Sequence, residues 1–199
     1  TAASGRLFRK GMLIKHETAL ERLAEVDTVV FDKTGTLTEG RPAVTAIVPA
    51  AGLTEEEVLR LAASVERASE HPLALAIVRA AEERGIATAP VADFDSPTGK
   101  GAYGTVEGKR IPLGNANFLA EEGVDVTPLA AQADRLRQDG ATAIFMGVDG
   151  EVAAIFAIAD PVKPSTPEAL AALKAQGIRV VMLTGDNWTT AKAVARQLG

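Results

Sequence analysis

The sequence contains no cysteine among its 199 residues. Disulfide bonds and thiolate metal sites are therefore excluded. The sequence also lacks an excess of basic residues, because its 26 acidic side chains outnumber its 21 lysines and arginines and leave a net charge of −5. This balance argues against a nucleic-acid-binding surface. We therefore expect no nucleic acid among the partners of this chain.

Long apolar segments are missing as well. The longest uninterrupted apolar run extends from Val152 to Ala159, far short of the ~20 residues that a membrane-spanning helix requires. The first residues do not show the pattern of a signal peptide. What is present is a hydrophobic fraction of 47%, which is ordinary for a globular protein and sufficient for a core. The length permits one or two compact domains.

The string Asp-Lys-Thr-Gly-Thr-Leu-Thr, residues 32–38, follows the apolar run Val29–Phe31. Such a run predicts a buried strand, and ligands bind at the carboxyl ends of strands in α/β sheets. A carboxylate held there, such as Asp32, can attack a phosphorus atom and form an aspartyl phosphate. Lys33 adds positive charge, and Gly35 lets the backbone turn close to a phosphate. A strand followed by an ordinary polar turn is the alternative interpretation.

A second apolar run, residues 178–183, ends in Thr-Gly-Asp-Asn and precedes a helical pattern from about residue 189. Alone, this string is more typical of a strand end with a helix cap. It repeats the order of the first string, an apolar strand followed by a polar turn, and we expect the two strands to lie in one parallel sheet. Thr184, Gly185 and Asp186 are the candidate residues of this second string.

A long insert, residues 41–158, separates these two strands. Thr54 and Glu57 have capping-box spacing at the start of one predicted helix, and Pro72 suits the first turn of the next. After the insert, Ser165 and Glu168 repeat the capping-box spacing. Further segments of the insert predict a helix over 129–138 and short strands at 91–95, 102–107, 109–113, 141–148 and 151–159.

These patterns predict an α/β fold in which a Rossmann-like parallel sheet is interrupted by an inserted α+β unit with an antiparallel sheet. Two parallel strands and two helices make a small core, and parallel sheets need both faces covered. The parallel sheet is therefore expected to be incomplete at its C-terminal side.

The insert contains a second group of candidate residues. Ser-Glu-His-Pro ends at Pro72, with Glu66 five residues before His71. A single histidine at a helix start is usually a cap or a packed ring. Gly99-Lys100-Gly101 and Gly114-Asn115 are ordinary loop signals by themselves, although glycine permits a close approach to a ligand.

Taken in order, these strings resemble the P-type ATPases, ion pumps of the haloacid-dehalogenase superfamily, and the Ser-Glu-His-Pro string resembles their heavy-metal branch. The resemblance implies that Asp32 is the phosphorylated residue and that Thr34 helps to hold Mg²⁺ through its backbone carbonyl. It also implies that Thr184 hydrogen-bonds the phosphoryl group and that Asp186 orders the nucleotide and metal. Asp160 and Lys163 resemble the hinge motif of this family.

The resemblance also implies an ATP site in the insert. Glu66 and His71 match the residues that contact adenine in heavy-metal pumps. The family's glycines near the nucleotide correspond to Gly99 and Gly101, and its further glycine–asparagine pair to Gly114 and Asn115. ATP and Mg²⁺ are therefore the expected cofactors.

For domain organisation, the resemblance assigns residues 24–40 and 159–199 to a phosphorylation domain and 41–158 to a nucleotide-binding domain. Residues 1–23, with a basic cluster, would be a juxtamembrane segment. The chain is expected to be a cytoplasmic portion of a membrane protein, in a bacterial plasma membrane. Its partners would be ATP or ADP, the membrane and actuator domains of the same pump, and a transported metal ion bound outside this chain.

Several alternatives stay open. The family's third motif, Gly-Asp-Gly-x-Asn-Asp, is absent from the sequence, so the chain alone is expected to be inactive or nearly so and could act as a nucleotide-binding module. A soluble haloacid-dehalogenase phosphatase with residues 41–158 as its cap is another interpretation, although many such enzymes carry an aspartate where this chain has Thr34. The runs 12–23 and 97–102 resemble copper pumps most, so Cu⁺ is the expected cargo, but zinc and cadmium pumps share Ser-Glu-His-Pro.

Overall fold

The computed structural model describes residues 2–16 and 18–199, which contain eight α-helices and eight β-strands. The helices are α1 (Ala2–Arg9), α2 (Ala19–Ala24), α3 (Glu55–Glu66), α4 (Pro72–Glu83), α5 (Ala116–Glu121), α6 (Thr127–Gln138), α7 (Thr166–Ala175) and α8 (Trp188–Leu198). The strands are β1 (Thr28–Asp32), β2 (Ala43–Pro49), β3 (Val91–Asp95), β4 (Gly101–Val106), β5 (Lys109–Gly114), β6 (Thr142–Val148), β7 (Glu151–Ala159) and β8 (Arg179–Leu183).

The first sheet consists of β1 and β8, which run parallel. Thr28 lies opposite Arg179 and Asp32 opposite Leu183, so both predicted motifs leave the sheet at the same edge. Helix α7 packs on β8. One face remains open to solvent, with Val30 59% and Leu183 63% exposed. The predicted parallel sheet is thus confirmed.

The second sheet has six antiparallel strands in the order β2-β7-β6-β5-β4-β3. Helices α3 and α4 cover one face around a core that includes Leu59, Ile77 and Phe156. Helices α5 and α6 lie over the other face, where Phe118, Leu129 and Phe145 are buried. The predicted insert with an antiparallel sheet is therefore present, and it has three layers.

Local sequence signals account for several element ends. Thr54 accepts a hydrogen bond from the Glu57 amide at 3.2 Å, and the Glu57 carboxylate accepts from the Thr54 amide at 2.9 Å, which completes the predicted capping box. The capping box predicted at Ser165 is wrong. Ser165 already has helical backbone angles (φ −80°, ψ −15°) and makes no side-chain cap bond, whereas a capping side chain needs an extended residue.

The N-terminal segment, predicted as a connecting region, forms α1 and α2; Thr1 and Glu17 lie outside the described residues. Arg6 and Arg9 belong to the last turn of α1, and Phe8 is 68% exposed. Within residues 2–16 and 18–199, every helix is too short or too polar to cross a bilayer.

Candidate functional site

The loop after β1 is a tight turn held by its own residues. Gly35 has a φ of +77°, a conformation that favours glycine, and the Thr38 amide donates to the Lys33 carbonyl at 3.2 Å. The buried Thr38 side chain accepts from the Gly35 amide at 3.2 Å and donates to Oδ2 of Asp160 at 2.6 Å. Asp32 therefore stands exposed at the start of a rigid loop.

The segment that follows β7 also forms hydrogen bonds to this loop. The Lys163 ammonium donates to the Gly35 carbonyl at 2.7 Å, and the Thr166 hydroxyl donates to the Leu37 carbonyl at 2.8 Å. Thr166 is 5% exposed, so its bond is shielded from water. The hinge-like residues Asp160 and Lys163 thus contact the loop that carries the candidate nucleophile.

The string after β8 meets this loop through an ion pair. Nζ of Lys33 lies 2.5 Å from Oδ2 of Asp186, and their side chains are only 12% and 18% exposed. The Asp186 amide donates to Oγ1 of Thr184 at 3.1 Å, which leaves the Thr184 proton available to a ligand. The structure therefore brings the two strings together at one edge of the parallel sheet, as their positions in the sequence predict.

A separate cleft of about 420 Å³ lies in the antiparallel-sheet part. This volume is in the range of small-molecule sites. All six residues predicted to bind a nucleotide line this one cleft: Glu66, His71, Gly99, Gly101, Gly114 and Asn115. They come from three stretches that are distant in the sequence, and only the fold brings them together.

Glu66, the last residue of α3, is 6% exposed, and no hydrogen bond or ion pair to its carboxyl group occurs in residues 2–16 and 18–199. Burial raises its pKa from 4.5 to about 7, because a low-dielectric environment disfavours the charged form. Near neutral pH the group is therefore divided between a carboxylate and a carboxylic acid, and it remains available to a polar ligand.

His71 has a structural role besides its place in the cleft. Its Nδ1 accepts from the Leu73 amide at 3.2 Å and caps α4, and the His71 amide donates to the Ser69 hydroxyl at 3.2 Å. Since Nδ1 acts as the acceptor, the neutral ring carries its proton on Nε2. The Nε2–H group is then the donor that a ligand can use.

The glycines serve two different purposes. Gly101 and Gly114 face each other across β4 and β5. A Cβ atom on Gly101 would collide with the Leu113 carbonyl, and one on Gly114 would lie 2.5 Å from the Lys100 carbonyl. These two residues are therefore required by strand packing. Gly99, with φ +74° and open space around it, is the glycine whose missing side chain leaves room for a ligand.

Asn115 also has a local function, because its Oδ1 accepts from the Phe118 amide at 2.9 Å and caps α5.

A family model described as "Hydrolase: haloacid dehalogenase-like hydrolase" matches residues 26–199. The match includes the strings after β1 and β8 and the whole insert.

Two curated relatives are similar along nearly the whole chain. A silver exporting P-type ATPase of Salmonella typhimurium is 51% identical over 195 residues, which cover 98% of this chain and 24% of that protein. A copper-exporting P-type ATPase of Legionella pneumophila is 50% identical over 195 residues, with 98% and 26% covered. The chain thus spans about a quarter of the length of these relatives.

Solved structures agree. A zinc-transporting PIB-type ATPase in its E2.Pi state superposes with a TM-score of 0.78 at 39% identity, covering 100% of this chain and 32% of that one. The catalytic domain of the CPx-ATPase CopB-B, studied upon nucleotide binding, gives a TM-score of 0.72 at 31% identity, covering 98% of this chain and 69% of that one. The chain belongs to the heavy-metal P-type ATPases. The predicted family and the haloacid-dehalogenase-like fold class are confirmed.

The apolar wall of the cleft in this heavy-metal P-type ATPase was not predicted from the sequence. Thr142, Ala143 and Ile144, at the start of β6, line the cleft together with Ala102 and Leu113. No local signal marks β6 as part of a site. The Asp-Gly hairpin at 149–150 placed β6 beside β7, but its pairing with β5 depends on the complete sheet order.

The donor chemistry near Asp32 suits Mg²⁺. Residues 2–16 and 18–199 contain no cluster of three His, Cys, Asp or Glu side chains that could hold a metal ion. Mg²⁺ rarely uses such cages, since it keeps several waters and takes one or two carboxylates plus substrate phosphates. The exposed Asp32 carboxylate and the nearby backbone carbonyl of Thr34 are oxygen ligands of the kind and number that Mg²⁺ takes from proteins.

Proposed function

We propose that this chain binds ATP in the cleft and passes the γ-phosphoryl group to Asp32, as the catalytic part of a heavy-metal-exporting pump. The observation that carries the proposal is the convergence of Glu66, His71 and Gly99 on one cleft. The same chain holds the exposed Asp32 at the edge of its parallel sheet. The names of the similar proteins, which are P-type ATPases, support it.

The cleft has suitable groups for an adenine ring. The Glu66 carboxylate can accept a hydrogen bond from the exocyclic amino group, and the Nε2–H of His71 can donate to a ring nitrogen or lie against the ring. Apolar contacts are available from Ala102, Leu113 and Ile144. Such a combination of an apolar lining with a few polar groups is typical of ligand sites.

In the transfer step, a carboxylate oxygen of Asp32 attacks the γ-phosphorus of ATP. A bond forms between that oxygen and phosphorus, the bond from phosphorus to the bridging oxygen breaks, and ADP leaves with the electron pair. The Thr184 hydroxyl can donate a hydrogen bond to a phosphoryl oxygen. Lys33, fixed by Asp186, places positive charge beside the reacting group, where charge stabilisation provides much of the rate.

We further propose that Asp32 and the Thr34 carbonyl hold Mg²⁺. When bound, the ion would neutralise phosphate charge and orient the γ-phosphoryl group. The chain's own contribution is the rigid loop 33–38, whose hydrogen bonds keep Asp32 and Thr34 in a constant position relative to one another.

We propose the following arrangement for the whole protein. Residues 24–40 and 159–199 would form the phosphorylation domain, 41–158 the nucleotide-binding domain and 1–23 a connection toward the membrane, on the cytoplasmic side of a bacterial plasma membrane. The remaining pump domains would be its partners. Cu⁺ is the proposed cargo, because the runs 12–23 and 97–102 resemble copper pumps; the names of similar proteins include silver, copper and zinc.

A cap-bearing phosphatase is the second candidate. A phosphatase needs rapid hydrolysis of the phosphoenzyme, and an acidic group two residues after the nucleophile commonly provides acid–base catalysis. This chain has Thr34 at that position. The residue favours a longer-lived aspartyl phosphate, as a pump requires.

Calorimetric titration of ATP into the 199-residue chain tests the proposed site. His71→Asn keeps a good helix-capping residue but removes the Nε2–H donor and the ring, so the protein should stay as stable and bind ATP about tenfold more weakly. His71→Ala should bind ATP as weakly as His71→Asn does, and its free energy of unfolding should also fall by about 1 kcal/mol, because the helix cap is lost. Absence of binding in the parent chain, or unchanged affinity in His71→Asn, would contradict the proposed site.

A further inference from the structure

Helix α8 contacts the turn that leads into β6. The hydroxyl of Thr190 donates to the Ala141 carbonyl at 3.0 Å, and both residues are buried, with exposures of 1% and 5%. A buried carbonyl without a partner destabilises a fold. One side chain of α8 therefore satisfies a backbone group of the antiparallel-sheet part.

The neighbouring contacts extend this docking along one helix face. The side-chain Nε2 of Gln197 donates to the Asp139 carbonyl at 3.4 Å. Gly140 lies next to the helix, since a Cβ atom there would be in van der Waals contact with Cγ2 of Val194 at 3.6 Å. Thr190, Val194 and Gln197 are spaced at i, i+4 and i+7, so they lie on the same side of α8.

Both ends of this contact lead directly to a proposed site. On one side, Ala141 is followed by Thr142–Ile144, which line the cleft. On the other side, α8 begins just after Asp186, whose carboxylate holds Lys33 beside Asp32. A continuous series of direct contacts therefore joins the cleft wall to the loop of the candidate nucleophile.

The contact also restricts rotation. The chain crosses between the two sheets twice, and these crossings lie next to each other, because Thr38 pairs with Val162 and the Glu39 amide donates to the Pro161 carbonyl at 2.8 Å. Two adjacent crossings permit rotation about the line that they define. The contact of α8 with residues 139–141 is an attachment away from that line, so it opposes such a rotation.

We propose that the contact between α8 and residues 139–141 is a latch that sets the orientation of the antiparallel-sheet part relative to the Asp32 loop, with Thr190 as its central residue. Occupation of the cleft is transmitted to α8 through β6. The first statement stands on the contact geometry alone, and the second rests on the proposed ATP site.

The absence of cysteine from the sequence makes the orientation measurable with two introduced labels. Arg79→Cys on α4 and Glu168→Cys on α7 are exposed positions in the two parts. In electron–electron double resonance, the parent chain should give one narrow distance distribution. Thr190→Val keeps the side-chain volume and removes the donor, and it should broaden or shift this distribution. The separate variant Thr190→Ser keeps the donor and should give the parent distribution.

The adjacent Thr189 provides a matched control, because it is exposed on the same helix. Thr189→Val should leave the distribution unchanged. Circular dichroism establishes that each variant is folded, and Gln197→Ala, at the exposed end of the contact, gives a milder disruption in case Thr190→Val does not fold. An unchanged distribution in a folded Thr190→Val chain, or in Gln197→Ala if the former is unfolded, would overturn the latch.

Nuclear magnetic resonance of the ¹⁵N-labelled chain tests transmission. Addition of ATP should change the chemical shifts of the backbone amides of Gly99 and Thr142 at the cleft. It should also change those of Thr190 and Val194 on α8. In Thr190→Val the cleft shifts should persist and the α8 shifts should be lost. Cleft shifts without α8 shifts in the parent would refute transmission while leaving the ATP site intact, whereas a lack of any shift would refute the ATP site and leave the distance measurement to decide the latch.

Discussion

At the scale of single residues, Glu66 is a buried carboxyl group whose desolvation opposes stability. Its carboxyl group is 6% exposed, and burial raises its pKa from 4.5 to about 7. A core residue of the same size would avoid this desolvation. We interpret the buried carboxyl as retained for a ligand rather than for folding, because perturbed titratable groups inside clefts are typical of functional sites.

The raised pKa makes stability depend on pH. Between pH 4.5 and about 7 the folded state binds the Glu66 proton more tightly than the unfolded state does, so the free energy of unfolding falls as pH rises through this window. The total fall due to this group is about 3 kcal/mol, and it is complete above the folded pKa. Urea unfolding at a series of pH values should show that Glu66→Gln lacks this fall.

Glu56→Gln, on the exposed start of the same helix, is the control for the Glu66 variant. It should retain the parent's pH dependence. A Glu66→Gln chain whose stability declines over this window as steeply as the parent's would show that burial does not hold the proton on Glu66.

At the scale of elements, the strand pair β4–β5 shows that a residue predicted as part of a binding site can be required by packing. Gly101 and Gly114 are paired across the two strands, and a Cβ atom on either would lie within 3.1 Å of the other's α-carbon, so neither has room for a methyl group. The sequence string resembles a nucleotide-binding pattern, but the structure gives these two glycines a steric reason. Gly99 differs, because the space next to it is open.

Alanine substitutions should separate these two roles. Gly101→Ala and Gly114→Ala force a methyl group onto backbone carbonyls, and we expect each to lower the free energy of unfolding by about 2–3 kcal/mol. Gly99→Ala meets only the strain of a positive φ, about 1–2 kcal/mol. Thermal and urea unfolding measure these losses. Equal losses at all three positions would contradict the steric explanation.

Local patterns in the sequence predicted most helices and strands, but not those that depend on distant partners. The motif strands β1 and β8 and the hairpin β6–β7 follow from apolar runs and turn residues. Strand β2 was not predicted, because it is defined by pairing with β7, as at Ile47 with Phe156. The six-residue helix α5 was also missed, although its cap Asn115 had been identified as a site residue.

The cleft shows the same limit. Glu66 and His71 are recognisable from one short string, whereas Thr142 and Ile144 enter the cleft only because β6 lies beside β5 in the completed sheet. Similarly, the spacing of Ser165 and Glu168 fits a capping box, yet the chain is already helical at Ser165. Spacing shows what a helix start could form, and the path of the preceding chain decides whether it does.

At the scale of the whole molecule, Asp160 fastens the junction of the two sheets. Its carboxylate accepts hydrogen bonds from the Thr38 hydroxyl at 2.6 Å, the Gly40 amide at 3.2 Å and the Arg41 amide at 3.0 Å. It therefore holds both the loop of the candidate nucleophile and the first crossing into the antiparallel-sheet part. The three bonds are charge-assisted and correspondingly strong.

Asp160→Ala should leave those three donors without their acceptor. We expect the free energy of unfolding to fall by about 2–3 kcal/mol, because a lost charged partner costs more than a neutral one. Asp134→Ala, which removes an exposed ion pair within α6, should cost at most about 0.5 kcal/mol. Urea unfolding of both variants checks this, and equal losses would argue that Asp160 contributes no more than a surface charge.

The central claim, that the cleft holds ATP, is tested most directly by a crystal structure of the chain grown with a saturating concentration of a non-hydrolysable ATP analogue. We predict density for the adenine ring between Glu66 and His71, with the nucleotide passing Gly99. Nucleotide bound elsewhere on the chain, or an empty cleft at saturation, would contradict the account.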